Sequence, residues 1–138
     1  MHALTPEAIN EFFLREFPSA HANGIRCVDV GASHVETRWT YDATVLRPGN
    51  FISGATQFAL ADTALWFLSF TVVGLAPMAV TSDMQIHYLR PAAGGDLYAR
   101  AELLRAGKHK IAGTVRLWVD GAPDKLVSYV TGSYMQLR

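Results

Sequence analysis

Apolar residues recur along this chain with two different periods. Behind Thr5-Pro6-Glu7, a hydroxyl cap followed by a proline and an early acid, Ile9, Phe12, Phe13 and Phe17 fall at helical spacing. This predicts a short amphipathic helix ending near Pro18. The segments IRCVDV and HVETRWTY, separated by a Gly31-Ala32-Ser33 turn, alternate apolar and polar positions and predict a β-hairpin from Ile25 to Tyr41. After a loop from Arg47 to Phe51 the spacing turns helical again, from about Ser53 to Val73. Phe58, Asp62, Leu65, Trp66 and Ser69 share one stripe of that helix, while Leu60, Ala64, Phe67, Leu68 and Val72 cover its other faces. A helix apolar nearly all round has to be enclosed on most sides.

The remainder reads as strands. In AVTSDMQIHYLRP, Val80, Met84, Ile86 and Tyr88 alternate with Thr81, Asp83, Gln85 and His87, which predicts a half-buried strand. Turn signals at Pro91 to Asp96, Ala106 to Lys108 and Asp120 to Lys125 separate three further segments rich in β-branched and aromatic residues. The second half is therefore expected to be a four-stranded antiparallel meander. The order helix, two strands, long helix, four strands places the chain in the α+β class. The expected architecture is an antiparallel curved sheet of about six strands wrapped around one long central helix, with a short N-terminal helix, as a single domain over residues 1–138.

Composition narrows the function. Lys plus Arg balances Asp plus Glu, so no global field attracts nucleic acid or an anionic membrane, and neither partner is expected. A hydrophobic content of 50% beside 17% charged residues implies apolar surface covered by another copy of the chain. Cys27 is the sole cysteine, which excludes an internal disulfide, fits a reducing cytosol and reads as a small core residue. The segment MHALTPEAINEFF lacks the basic and apolar regions of a secretory signal, so a cytoplasmic protein is expected. Residues 63–80 carry no charge, yet Gly74 and Pro77 interrupt them, no Lys or Arg flanks them closely, and amphipathic strands follow. They read as a core helix running into a turn and a strand rather than a membrane span.

Asp62 is the one charged side chain between Arg47 and Asp83. A carboxylate in apolar surroundings must be hydrogen-bonded, paired or protonated. It is either a structural group or a catalytic one. The histidines at positions 2, 21, 34, 87 and 109 have no paired ligand spacing, so no metal is expected. Nucleotide-binding glycine motifs are absent, and Phe51 replaces the first glycine that a nucleophile elbow around Ser53 would need. Ser53 reads as an N-cap.

Three stretches carry a family resemblance: ALADTA at 59–64, VTSDMQIHYLRPA at 80–92, and Gly107-Lys108. With their spacing, the region from about Val45 to Gln136 resembles the PaaI-like branch of the hotdog-fold acyl-CoA thioesterases. The resemblance implies hydrolysis of a thioester between an acyl group and coenzyme A at a site built between two protomers, with no cofactor beyond the CoA of the substrate. It assigns Asp62 as general base or nucleophile, and the backbone amide near Gly54 and Ala55 as the group that polarises the carbonyl. Thr81 takes the place of a polar side chain that orients water, and Asn50 that of a substrate contact before the helix. Ser53-Gly54-Ala55 replaces the family's frequent His-Gly-Gly, similar to a sub-branch with an RPG-x-x-SG loop. The helix start is about 13 Å of rise from Asp62 at 1.5 Å per residue, so one chain cannot join the two groups. Phosphate contacts are expected from Arg90, Lys108, His109 and Lys110, and an apolar acyl wall from residues such as Trp66. Self-association as a dimer or tetramer is expected through residues 79–90, paired antiparallel to their own copy. An acyl-CoA-binding sensor without chemistry is the alternative.

Overall fold

The computed structural model describes residues 4–137, so His2 lies outside it. Thr5 caps the first helix, α1 (Pro6–Glu16), by accepting a hydrogen bond from Ala8 N, and a single turn, α2 (Pro18–His21), follows the break at Pro18. The hairpin forms as β1 (Ile25–Val30) and β2 (His34–Trp39). The long helix α3 spans Gly54–Val73. After it come β3 (Ala79–Tyr88), β4 (Leu97–Ala106), β5 (Lys110–Val119) and β6 (Ser128–Gln136). All strand pairs are antiparallel, in one sheet of order β1-β2-β4-β5-β6-β3.

That order corrects the expected meander. Strands β4, β5 and β6 do run as a meander, but β3 pairs with β6 at the far margin, and β4 pairs with β2. The segment after β3 crosses the end of the sheet instead of turning back on itself. Leu89 N donates to Val127 O at 2.9 Å, and Ile52 N donates to Ala92 O at 2.8 Å, which ties the crossing to the loop before β6 and to the approach to α3.

The sheet curls around α3. Leu60, Ala61, Ala64, Phe67 and Leu68 are buried completely. Gly113 of β5 and Gly132 of β6 stand opposite each other, and a Cβ on either would meet Leu65 or Leu68 side-chain atoms at 2.6–2.9 Å. The missing side chains form a seat into which the middle of α3 settles. Helix α1 closes the other side through an aromatic cluster, with Phe13 to Phe67 centroids 5.1 Å apart and Phe12 to Phe70 centroids 5.3 Å apart. Enclosure covers the middle of α3 and not its whole length, because Ala55, Phe58 and Ala59 of the first turns and Val72 and Val73 of the last face outward. Phe67 and Phe70 are core side chains. Cys27 is buried as expected, and burial pushes its thiol up to about 12, which makes it unreactive near neutral pH.

The two margins of the sheet differ. At β1, the Asn10 side chain accepts from Cys27 N at 2.8 Å and donates to Cys27 O at 3.0 Å. At β3, the strand has β6 on one side and, among the described residues, no strand on the other. Val80 and Tyr88, expected on the buried face, are 45% and 51% exposed in the single chain.

Candidate active site

Asp62 sits on the third turn of α3, where that helix passes beneath the start of β3 and the end of β6. The Thr81 hydroxyl donates to Asp62 Oδ1 at 2.7 Å. The Tyr134 hydroxyl donates to the same Oδ1 at 2.7 Å and approaches the Asp62 carbonyl at 3.1 Å. The other carboxylate oxygen accepts no hydrogen bond among the described residues. A cleft of about 300 Å³ opens over this group, lined by Phe17, Thr63, Trp66, Val80, Thr81 and Tyr134 beside Asp62. Its walls are aromatic or aliphatic apart from hydroxyls and the Trp66 indole, whose buried Nε1 has no partner among the described residues. Burial, and then the adjacent Asp62 carboxylate, hold the Tyr134 phenol well above its ordinary value, so it remains a donor.

The expected setting of Asp62 needs one adjustment. Trp66 does share its cleft, but Phe58 is 38% exposed on another face, and Leu65 packs toward the glycine seat. Asp62 is half-buried and reaches a cavity wall, so its charge is held by two hydroxyls and open space rather than by apolar core.

The start of α3 forms a second centre. Ser53 caps the helix as expected, accepting from Thr56 N at 3.1 Å. Its neighbours, the Gly54 and Ala55 N–H groups, have no acceptor among the described residues, as the geometry of a helix start dictates. The Tyr88 hydroxyl donates to the Gly54 carbonyl at 2.8 Å, and a Cβ on Gly54 would fall 2.9 Å from that hydroxyl. A cleft of about 620 Å³ lies here, lined by Arg47, Phe51, Gly54, Gln57, Tyr88 and Arg90. Burial raises the Tyr88 phenol too.

These centres are far apart within one chain. Gly54 and Asp62 are eight helical residues apart, about 12 Å of rise. Their partners on β3, Tyr88 and Thr81, are seven residues apart, roughly 20 Å along the strand.

The remaining expected site residues are dispersed. Arg90 borders the Gly54 cleft, while Ala55 faces a different depression with Asn23, Trp39 and Thr56. Asn50 completes the tight Arg47-to-Phe51 turn with φ of 62°, donating its backbone N–H to Arg47 O at 3.1 Å, and lines neither cleft. Lys108 and His109 form the exposed tip between β4 and β5, with Lys110 beginning β5 opposite Met135. They lie toward the end of the sheet where β3 starts, outside both cleft walls. No cluster of potential metal ligands occurs among the described residues.

Sequence reading missed Tyr134, Tyr88, Gln57 and Phe17. For Tyr134 a signal existed: Ser128, Val130 and Gly132 share its face of β6 and are buried, and a buried tyrosine hydroxyl requires a partner.

Comparison with known proteins places this geometry. Among the solved structures it resembles is the PaaI protein from the phenylacetic acid degradation operon of E. coli, 26% identical over 95% of this chain and 98% of that one, with a TM-score of 0.76. A conserved protein from Pseudomonas aeruginosa is 25% identical over 86% of this chain and 93% of that one, with a TM-score of 0.78. A thioesterase from Haemophilus influenzae shares the fold at 19% identity, with a TM-score of 0.83 over 99% of this chain and 93% of that one. A search of curated proteins gives no match. The model of the Thioesterase superfamily matches residues 49–123, a span holding α3, Asp62, the glycine start and β3 to β5. The chain belongs to the thioesterase superfamily, as a hotdog-fold protein of the PaaI type.

Proposed function

We propose that the thioester hydrolysis supported by family membership is, in this chain, hydrolysis of acyl-CoA to free acid and CoA, with Asp62 as general base or nucleophile. The observation that carries this reading is the Asp62 carboxylate, fixed through one oxygen by Thr81 and Tyr134 with its other oxygen on the wall of a largely apolar cleft. A carboxylate held that way has the orientation a positioned base requires.

The carbonyl needs a separate group. Free N–H groups at the start of α3 carry partial positive charge suited to a developing oxyanion. Dimerisation would bring one to Asp62. If β3 pairs with its own copy about Gln85, the extra residue between Thr81 and Asp83 lets Thr81 of one protomer lie across from Tyr88 of the partner subunit. The Asp62 cleft then meets the Gly54 cleft of the other chain.

In the general-base form, Asp62 takes a proton from water as the water oxygen bonds to the thioester carbon. The carbonyl oxygen gains charge against the Gly54 region. Collapse of the tetrahedral species breaks the C–S bond, and the departing thiolate recovers the proton from Asp62. Thr81 donates to the carboxylate, and its hydroxyl keeps acceptor capacity for the water that the resemblance has it orient. Trp66 supplies acyl wall, and Arg90, with Arg47 beside the same cleft, supplies cations for the CoA phosphates. Lys108, His109 and Lys110 are exposed candidates for the same task. The buried free Cys27 fits a cytoplasmic setting.

The test is a thiol-release assay across a panel of acyl-CoAs, with Asp62→Asn as the decisive variant. It should fold, assemble and bind acyl-CoA while kcat falls at least about 100-fold. Turnover near the wild-type rate, or an unfolded chain, assigns Asp62 to architecture. Saturable acyl-CoA binding by the wild type without turnover identifies a sensor instead.

A further inference from the structure

The two hydroxyls that reach Asp62 choose the same oxygen. Thr81 comes from the edge strand β3 and Tyr134 from its neighbour β6, and they are paired across the sheet. Each donates to Oδ1 at 2.7 Å, while Oδ2 accepts nothing among the described residues. Tyr134 could satisfy its buried hydroxyl through the Asp62 carbonyl alone, yet it lies closer to the carboxylate, at 2.7 against 3.1 Å. We infer that Tyr134 is a positioning residue for the reaction: with Thr81 it saturates one oxygen of Asp62, fixes the plane of the carboxylate and leaves Oδ2 as the single oxygen that meets water or substrate. This inference rests on the proposed role of Asp62.

Three features make Tyr134 suited to that task. It is buried, so its ring is held by packing. Its phenol stays protonated, so it donates and never competes for the proton that Asp62 moves. It also stands two residues beyond Gly132, where the absent side chain lets α3 approach β6 closely enough for a side-chain hydrogen bond. Among the described residues, Tyr134 is the only other titratable group that lines the Asp62 cleft. The nearby Asp83 carboxylate on β3 is held by the Ser133 hydroxyl instead.

Tyr134→Phe keeps the ring and removes the donor, so the carboxylate is free to turn. Its kcat should fall about 10-fold, the size expected for one hydrogen bond to a charged group, while KM stays within about twofold. Thr81→Val should lower kcat the same way, and Thr81→Ser should restore it. A merely structural tyrosine would lower the melting temperature and leave kcat of the folded protein unchanged. An unchanged kcat in folded Tyr134→Phe, with Asp62→Asn inactive, overturns the role of Tyr134 and leaves the base assignment standing. If Tyr134→Phe does not fold, Thr81→Val decides, and an unchanged kcat there overturns the saturation of Oδ1. Full turnover in Asp62→Asn overturns both readings.

Discussion

The two margins of this sheet solve the same problem in opposite ways. An edge strand presents unpaired N–H and C=O groups that invite another strand. At β1 the invitation is withdrawn: Asn10 reaches from α1 and occupies both the N–H and the C=O of Cys27, imitating the strand that would otherwise dock there. A register shift between Cys27 and Asp29 further spoils that edge. At β3 there is no such cover, and the strand is ten residues long with exposed apolar side chains at both ends. One margin is finished within the chain and the other is left open, and the proposed pairing with a second copy rests on that open edge. Residues that flank the unfinished margin, Thr81 and Tyr88, are also those that hold Asp62 and Gly54.

That contrast is broken most severely by separating the two halves of the proposed centre. Asp62→Asn and Gly54→Val chains should each be nearly inactive as homodimers. Mixed through denaturation and refolding, they should regain about a quarter of wild-type turnover, since half the dimers then hold one intact pairing of helix start and carboxylate. Recovery of nothing would place both groups' action within one chain, and a sedimentation run giving monomers at micromolar concentration would remove the shared edge altogether. A smaller effect is expected at the finished margin. Asn10→Ala leaves the Cys27 backbone groups without their partner and should cost about 2 kcal/mol of stability, while oligomeric state and kcat stay unchanged. An altered sedimentation coefficient would show that β1 also pairs. The smallest effect belongs to the helix cap: Ser53→Ala should cost about 1 kcal/mol in a denaturation curve and retain much of the activity. Near-total loss of turnover at an unchanged melting temperature would give Ser53 a direct part in the chemistry.

Local rules reached far into this fold. The cap at Ser53, the span of α3 and the place of Asp62 on it follow from spacing and turn chemistry, which act over a few residues. Strand order did not follow, because periodicity identifies a strand without naming its neighbour. The crossing of residues 89–96 is fixed by hydrogen bonds to Val127 and Ile52, distant in sequence. The site divides along the same line. Asp62 and Gly54 were visible as exceptions to their surroundings, a lone charge and a helix-start glycine. Tyr134 looked like one more aromatic residue in a strand, and its meaning depends on β6 lying against β3 and on a contact 72 residues away in sequence. Arg90, Lys108 and His109 looked equivalent as cations, yet only Arg90 borders a cleft.

The paired glycines at 113 and 132 set a depth. They decide how low α3 rides on the sheet, and through that the reach from Asp62 to Tyr134. The walls around the carboxylate come from elsewhere: Phe17 from the junction of α1 and α2, Pro77 from the turn after α3, and Val80 from the edge strand. On the proposed reading, reactivity is calibrated by the floor of the molecule and acyl preference by its rim. Drift at Phe17, Pro77 or Val80 can reshape the range of substrates while the alignment of the carboxylate is inherited unchanged, which makes the choice of acyl group the more evolvable property of the two.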